Sequence, residues 1–436
     1  MRIGRPNSRW SAVEAGRRPG KTSRKERTPE QTLTCLPITP LVTVQLEPIL
    51  ELIQSDRLED ALALVEESIK KGPETADLLR LNARLLLELG QMGRARTSFE
   101  RLCQELPDDH DANWNLTLLL LLEGQFQQGW ARHEDRPTAR QMGDLLDLGG
   151  DPIPRWGGEP LDGQRMILVG EQGLGDQIQF LRFAPEMATR ADVVDVGVAP
   201  EIHRIAESVS GISTVVSSLP ARRGKYNYWI QLMSLPHFLG LYENNDYSKI
   251  HYISPPSVSK DLWKGRLDRQ LPLRPRVGIV WAGNESNLEG RNRIDPQDII
   301  DELLTVDDVS FVGLQKGPRA GEIHRIDTHS RLVDISNELE DFCETAAVVV
   351  NLDLVISVDT AVAHLAGALG RPVWNLIPFI PDWRWGVTGE QTPWYPTMKL
   401  IRQRHRSLWR PTLEAVRRDL ETLVASWRSP LLQPPK

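Results

Sequence analysis

One stretch of the sequence has the residue types and spacing of an anion site at the start of a helix. Leu354–Val358 has the apolar, β-branched character of a buried strand, Asp359 and Thr360 follow as a polar turn, and a helix of small residues runs on to Gly370. The first N–H groups of such a helix have no partner within it and lie at the positive end of its dipole, so they suit a diphosphate. His364 falls one turn into the helix, where a packing histidine is the simpler interpretation.

A second stretch combines a glycine-rich turn with a carboxylate. Met166–Val169 is predicted to be a buried strand, Gly173 and Gly175 lie in the turn after it, and a helix is predicted to begin near Asp176. Such a turn lets a ligand approach the backbone at the carboxyl end of a strand, where open α/β sheets bind their ligands. The spacing departs from GxGxxG, which disfavours a nicotinamide dinucleotide. For Asp176 the local sequence favours the role of helix N-cap.

Polar and basic side chains follow two further predicted strands. Cations at strand ends that face one crevice could neutralise a leaving phosphate, although each loop taken singly could equally be a solvated loop. The candidate residues are Asn284, Arg291, Arg293, Gln315 and Lys316.

Aromatic residues cluster in 378–385 and 394–396, where they could stack on a base or a sugar. Packing at the domain edge is the favoured interpretation for most of them. The nine histidines show no HxxxH or HxH spacing near carboxylates, and no GxSxG or GxxxxGK[ST] motif is present. Metal-dependent hydrolysis, serine hydrolysis and Walker-type phosphoryl transfer therefore lack support, and we expect a mechanism without a metal or other cofactor.

Composition and charge further limit the class of protein to which this chain can belong. The chain has 436 residues, of which 40% are hydrophobic and 25% charged, as in ordinary globular proteins. Its net charge is −7, but residues 1–40 carry nine Lys and Arg against three Asp and Glu, so the remainder carries −13 and should repel nucleic acid. Cys35, Cys103 and Cys343 form no CxxC and cannot all pair, and the longest apolar run is far shorter than a membrane span. These features favour a cytoplasmic protein.

The elements that must position these residues are predicted from periodicity. Short apolar strands alternate with helical stretches after residue 163, which predicts parallel sheets covered on both faces, with a boundary near 271–275. The predicted strands are 166–169, 193–198, 213–216, 277–281, 309–314, 354–358 and 373–377, and a final helix is predicted over 412–427.

An internal period of 34 residues precedes this part. Gly90 and Gly124 are one period apart, as are Ala61, Ala95 and Gly129. Small residues suit close helix contacts, and glycine suits the turn between helices. The pattern resembles tetratricopeptide repeats (TPR), with two good copies and a weaker or partial third.

These motifs, in this order and behind such repeats, resemble bacterial proteins that join tetratricopeptide repeats to a domain of glycosyltransferase family 9, the heptosyltransferase family. More distantly, the chain is similar to protein O-linked N-acetylglucosamine transferases. The motifs that carry the resemblance are Gly124–Trp130, Glu171–Asp176, Val280–Asn284, Leu314–Gly317, Ser357–His364 and Pro381–Trp385.

The resemblance implies an α plus α/β chain in which TPR-like repeats precede a GT-B fold of two Rossmann-like lobes. The expected domains are a basic disordered tail or mis-called start at 1–40, repeats at 41–136, a linker at 137–162, an acceptor lobe at 163–258, and a nucleotide-sugar lobe with its C-terminal helix at 259–436. A cleavable organellar presequence is the less favoured interpretation of the tail, because its prolines and glycines would interrupt an amphipathic helix.

The resemblance also assigns roles. Asp176 matches the proposed general base, Asp359, Thr360 and His364 match the stretch that holds the donor diphosphate, and the remaining candidates occupy regions that contact the donor. We expect a metal-independent, inverting transfer of a sugar from a nucleotide-diphosphate donor to a glycan or protein acceptor, with the repeats recruiting the acceptor or a protein partner. A first lobe that is short for acceptor binding keeps two alternatives open: a non-catalytic scaffold, and a sugar-nucleotide epimerase of the same fold.

Overall fold

The computed structural model describes residues 46–428, apart from 73, 143–144, 146–150, 217–225, 272, 284–293, 326–331 and 407. Over the described residues, internal contacts divide the chain into two units, one up to Asn115 and the other from Leu116 onward. The division falls inside a helix, α5 (His110–Leu122). The domain limits expected at 136, 162 and 258 stay predictions.

The first unit is helical over its described residues. Each of its helices packs on the next one along the chain. The period-related Ala61 and Ala95 are fully buried, and Gly90 has a φ of 72°, a conformation that glycine adopts without strain. The contact and turn positions of the sequence pattern therefore have the expected character, while membership of the tetratricopeptide class stays a prediction. The helices are α1 (Glu47–Gln54), α2 (Leu58–Lys71), α3 (Ala76–Glu88) and α4 (Met92–Glu105).

The second unit alternates strands and helices. Its strands are β1 (Arg165–Val169), β2 (Val193–Gly197), β3 (Thr214–Val216), β4 (Tyr228–Gln231), β5 (Arg276–Val280), β6 (Ser310–Gly313), β7 (Leu332–Asp334), β8 (Leu354–Val358), β9 (Val373–Ile377) and β10 (Met398–Arg402). After α5, its helices are α6 (Phe126–His133), α7 (Pro137–Gln141), α8 (Leu174–Phe180), α9 (Ala184–Met187), α10 (His203–Ala206), α11 (Leu235–Phe238), α12 (Ser257–Gln270), α13 (Pro296–Leu304), α14 (Phe342–Val349), α15 (Ala361–Ala368) and α16 (Arg410–Arg428).

The strands form two parallel sheets, as the alternation of strands and helices predicts. The first sheet has the order β3-β2-β1-β4, and the second has the order β10-β9-β8-β5-β6-β7. Every strand pair in both sheets is parallel. The strand order reverses beside β1 in the first sheet and between β5 and β8 in the second. Such switch points open a crevice at the carboxyl ends of the strands, which is where the candidate residues lie.

Aromatic side chains build much of the core of the second unit. Trp130 of α6 is fully buried and donates its indole N–H to the Tyr247 hydroxyl at 2.8 Å. It packs edge-on against Phe180 and Trp383, and Trp394 packs on Tyr247. Most of the aromatic residues near the end of the chain therefore pack the core, as the sequence analysis favours.

Part of the predicted linker is ordered against the first sheet. It contains α7, and Trp156 donates its backbone N–H to the Trp229 carbonyl of β4 at 2.8 Å. The final helix, α16, packs on α13 and β10 of the second-sheet region. Among the described residues, no helix has the length and apolar character needed to cross a membrane.

Candidate active site

Helix α8 carries the first candidate, Asp176, in its first turn. Gln172 adopts a left-handed φ of 58° just before the helix, which turns the chain away from strand β1. The Oδ2 atom of Asp176 accepts the backbone N–H of Gly173 at 2.8 Å. Asp176 thus contributes to the cap of α8 from the third helical position, while Gly173 holds the N-cap position itself. This contact uses one carboxylate oxygen and leaves the other for a different partner.

Helix α15 begins beside the end of strand β8, as predicted. Thr360 is its N-cap residue in extended conformation. The Thr360 hydroxyl lies 2.9 Å from the Ser357 hydroxyl and makes no capping bond to the helix. The side chain of the cap residue therefore does not occupy the first-turn N–H groups of α15, which is the condition for an anion site there.

The two helices are in direct contact through a glycine. A Cβ atom on Gly175 would lie 2.8 Å from the Cδ2 atom of His364 and 3.3 Å from the Cα atom of Ala361. Distances this short show that any side chain at position 175 would push α8 and α15 apart. Gly175, predicted to lie in the turn before the helix, is instead the second residue of α8, and its lack of a side chain lets the helix of Asp176 pack against the helix that follows Asp359.

Arg384 joins the two parts of the site. Its guanidinium bonds the Oδ1 atom of Asp176, the side-chain oxygen of Gln179 and, at 3.0 Å, the Oδ1 atom of Asp382. The next residue, Trp385, donates its indole N–H to the Oδ2 atom of Asp359 at 2.8 Å. Two consecutive residues thus hold the carboxylates that follow β1 and β8.

Sequence reasoning missed this role of Arg384. The signal that could have found it is a lone basic residue among buried tryptophans in Pro381–Trp385, because a charged group in apolar surroundings requires a charged partner.

Burial and charge set the protonation of the site. Burial raises the pKa of Asp359 to about 6, and the nearby Asp382 carboxylate adds to the rise. Burial acts to raise the pKa of Asp382, but the charge of the Arg384 guanidinium and the hydrogen bonds that Arg384 donates contribute to a net lowering. Burial, assisted by Arg384, lowers the pKa of His364 well below its usual value, so the imidazole is neutral at physiological pH.

The remaining predicted donor residues have structural partners where the structure describes them. The Gln315 side-chain oxygen accepts the backbone N–H groups of Trp281 and Ala282, at 3.2 and 2.8 Å, and so shapes the loop after β5. That loop reaches the site, because a Cβ atom on Gly283 would lie 3.6 Å from the Asp359 carbonyl oxygen. The Lys316 ammonium donates to the Glu340 carbonyl at 3.1 Å. Asn284, Arg291 and Arg293 lie outside the described residues.

A buried ion pair fixes the loop that leads to Asp176. Arg136 is fully buried and bonds both carboxylate oxygens of Glu171, which lies two residues after the end of β1. The Thr138 hydroxyl donates to the same carboxylate at 2.7 Å, and Arg136 also donates to the Ser234 hydroxyl at 2.8 Å. The loop between β1 and α8 is therefore anchored by Arg136, the N-cap residue of α7, and by Thr138 within α7.

No group of three or more His, Cys, Asp and Glu side chains placed to bind a metal ion is found in the part of the chain that the structure describes. Metal independence stays a prediction.

Residues 309–379 match the family model described as glycosyltransferase family 9 (heptosyltransferase). The matched stretch runs from the start of β6 to just beyond β9 and includes Gln315, Lys316, Asp359, Thr360 and His364. The match supports a glycosyltransferase.

Matches to individual proteins were also found. Protein FlbA of Caulobacter vibrioides is 24% identical over an alignment of 395 residues that covers 84% of this chain, and the chain spans 65% of the length of that relative. E. coli ADP-heptose LPS heptosyltransferase II matches 61% of this chain and 100% of its own, with 12% identity and a TM-score of 0.44. An O-GlcNAc transferase of Thermobaculum terrenum matches 87% of this chain and 90% of its own, with 14% identity and a TM-score of 0.28.

Proposed function

We propose that this protein transfers a sugar from a nucleotide-diphosphate donor to an acceptor hydroxyl. One observation carries the proposal: the carboxylate after β1 and the helix start after β8 lie on helices that touch at Gly175. Each lies at the carboxyl end of a strand beside a switch point of its own sheet. The family 9 match over residues 309–379 supports the same class of reaction.

Glycosyl transfer needs two kinds of group, and the site offers candidates for both. The anomeric carbon gains positive charge as the nucleotide diphosphate leaves, so donors of hydrogen bonds are needed at the phosphates. The first-turn N–H groups of α15 supply them in this proposal. The incoming hydroxyl must lose its proton, and Asp176 is the proposed base. A single base with direct attack gives inversion at the anomeric carbon, and no step requires a metal.

Arg384 serves the base as a positioning residue. It holds one oxygen of Asp176 while the Gly173 N–H holds the other, so the carboxylate has one orientation. When Asp176 takes a proton, Asp382 remains as an anionic partner of the guanidinium. The buried positive charge is therefore paired before and after proton transfer, which avoids the cost of an isolated charge.

The helical first unit has a recruiting role in this proposal. We infer that its TPR-like helices bind the acceptor, a glycan or a protein, or a partner protein that delivers it. The reaction takes place in the cytoplasm, where nucleotide sugars are the donors.

The test replaces Asp176 with asparagine, which keeps the size of the side chain and its backbone contact. Incubation with radiolabelled ADP- and UDP-sugars should show turnover falling by about 10²–10⁴-fold, the usual contribution of a general base. Calorimetry with ADP and UDP should show unchanged nucleotide affinity. The matched control is Asp246→Asn, because Asp246 also accepts a backbone N–H, from Glu243 at 2.9 Å, but lies outside the site.

Two outcomes would contradict the proposal. Unchanged turnover in Asp176→Asn would remove the base from its role. A wild-type protein that binds neither ADP nor UDP and turns over no donor would be the non-catalytic scaffold instead.

A further inference from the structure

A pocket of about 450 Å³ opens beside the last residues of strand β4, at the edge of the first sheet. None of the candidate catalytic or donor residues that the structure describes lines this pocket, hereafter the β4 pocket. Its volume is typical of sites for small molecules. Part of its wall comes from α7 and from the segment after α7, which the sequence predicts to be a linker. The lining combines apolar and polar side chains, among them Met142, Ile153, Pro154, Trp229, Glu134, Arg155 and Gln231.

Trp229 and Gln231 bring hydrogen-bond donors to this pocket that have no acceptor in the fold. Trp229 is 4% exposed and Gln231 is 1% exposed. The Oε1 atom of Gln231 accepts the Nε–H of Arg155 at 2.9 Å, so the amide NH₂ group is left for another partner. No residue that the structure describes accepts from this NH₂ group or from the Trp229 indole N–H. Buried donors normally have an acceptor, and the pocket is where an external one can reach them.

Arg155 adds a positive charge and a third donor. Its side chain is about one-third exposed, and its Nη2 atom donates to Glu134 at 2.5 Å and to the Ser234 hydroxyl at 2.9 Å. Among the described residues, nothing accepts from its Nη1 atom. Both oxygens of Glu134 are occupied, one by Arg155 and the other by Arg136 at 3.2 Å. Glu134 is thus neutralised from two sides and repels a further anion less than a lone carboxylate would.

The groups left over in the β4 pocket are all donors, and this selects the chemistry of a ligand. An ionised carboxylate only accepts, whereas a hydroxyl both donates and accepts. A guanidinium N–H makes the stronger, charge-assisted bond to such an anion. The two arginines and two glutamates of the network that reaches the pocket (Arg136, Arg155, Glu134 and Glu171) sum to zero charge, which suits one added negative charge better than the two of a phosphate. The apolar wall suits a body without polar groups.

We propose that the β4 pocket binds a small molecule that carries a carboxylate on an apolar ring. The carboxylate accepts from Arg155 Nη1, the Gln231 NH₂ group and the Trp229 indole, and the ring packs against the apolar wall. The pocket also adjoins the anchor of the loop before α8, because Ser234 accepts from both Arg155 and Arg136. This site uses none of the residues on which the proposed sugar transfer depends, so either proposal can fail alone.

The test titrates the full chain with benzoate and with benzamide, its uncharged counterpart. Nitrogen-15 NMR follows the tryptophan indole N–H signals, and Trp229→Phe identifies the signal of Trp229. Benzoate should shift that signal, and calorimetry should show benzamide binding at least about tenfold more weakly, because it lacks the charge.

Two variants locate the carboxylate. Gln231→Glu keeps the acceptor for Arg155 but replaces the NH₂ donor with a carboxylate oxygen, so benzoate affinity should fall by about 10–100-fold, as for loss of a hydrogen bond to a charged group. Gln270→Glu is the matched control, because Gln270 is exposed and its Oε1 atom also accepts an arginine Nε–H, from Arg266 at 3.1 Å. Arg155→Met should weaken benzoate binding to a similar extent, and its partly exposed position makes folding less sensitive to the change.

Three results would overturn the proposal. They are a wild type that does not bind benzoate at millimolar concentration, equal affinity for benzoate and benzamide, and benzoate binding that leaves the Trp229 signal unshifted. Unchanged benzoate affinity in both Gln231→Glu and Arg155→Met would do the same. Because none of these measurements involves a nucleotide or a sugar, a protein that transfers no sugar could still confirm the β4 pocket.

Discussion

The two carboxylates at the centre of the site are held in contrasting ways. The Asp176 carboxylate accepts hydrogen bonds from the Arg384 guanidinium and from a backbone N–H. Among the described residues, Asp359 accepts a side-chain hydrogen bond from the Trp385 indole N–H alone, and burial raises the pKa of Asp359 to about 6. The two aspartates therefore differ in charge state: Asp176 is an ion-paired anion, whereas Asp359 gains a proton in mildly acidic solution. Environment, not residue type, divides the roles.

The Asp176 side of this comparison depends most on Arg384. Replacing Arg384 with methionine should lower the free energy of unfolding of the second unit by about 3–5 kcal/mol, because two largely buried carboxylates lose a shared partner. Urea unfolding followed by tryptophan fluorescence measures the change. Arg57→Met is the matched control, since the Arg57–Asp60 pair is exposed and should contribute less than about 1 kcal/mol. A loss below about 1 kcal/mol for Arg384→Met would show that the guanidinium does not hold the site together.

We expect the contribution of Asp359 to the free energy of unfolding to depend on pH in the opposite sense to that of an ion-paired carboxylate. Its folded-state pKa, about 6, lies above the reference value of 3.8, so the folded state binds the proton more tightly and stability from this group is lost as the pH rises from about 4 to about 6. Asp359→Asn removes that loss and keeps an acceptor for Trp385. Relative to the wild type, the variant should gain on the order of 2–3 kcal/mol between pH 4 and pH 7 in urea unfolding. An identical difference at both pH values would contradict the raised pKa.

The contact between α8 and α15 predicts a smaller loss of stability on substitution of Gly175. Gly175→Ala places a methyl group against His364 and Ala361, so we expect a loss of about 1–3 kcal/mol from overpacking. Gly265→Ala is the matched control in a helix of the same unit, where the added carbon would meet only the Arg269 side chain at 3.6 Å. The control should be neutral or stabilising, because alanine is the better helix former. Equal effects at the two glycines would mean that α8 and α15 are not tightly apposed.

Local patterns predicted most of the sheet architecture but missed three strands. The segments with dense apolar runs, such as Leu354–Val358, were recognisable because buried parallel strands are apolar on both faces. Strand β7 has only three residues, and the five residues of β10 include Lys399 and Arg402. Strand β4 is short and ends in Gln231. Because these strands are short or lie at the edge of a sheet, their sequences show no clear apolar pattern.

The candidate site likewise contains residues that the local sequence predicts and residues that it does not. The positions of Asp176 and Asp359 follow from strand-turn-helix signals within a few residues of each. Their partners Arg384 and Trp385 do not, because Arg384 is 208 residues from Asp176 and 25 from Asp359 along the chain. The donor contact predicted for Gln315 stays a prediction, and the sequence gives no sign that its side-chain oxygen also accepts two backbone N–H groups of the loop after β5. Only coordinates reveal such pairings, since no local preference encodes them.

Helix α8 and the residues just after it make contacts with residues more than 200 positions later in the chain. Besides the Asp176 contact, Arg182 just beyond the helix donates to the Trp394 carbonyl at 2.7 Å, 212 residues away. Contacts this distant in sequence form late and slow folding, because a long loop must close first. During synthesis the β1–β4 sheet therefore forms before Arg384 and Trp394 are available, and a fragment ending before residue 380 would lack the contacts that these residues make with Asp176 and Arg182. Expression of the first sheet alone should yield an aggregation-prone polypeptide, which makes the whole second unit the smallest sensible target for biochemistry.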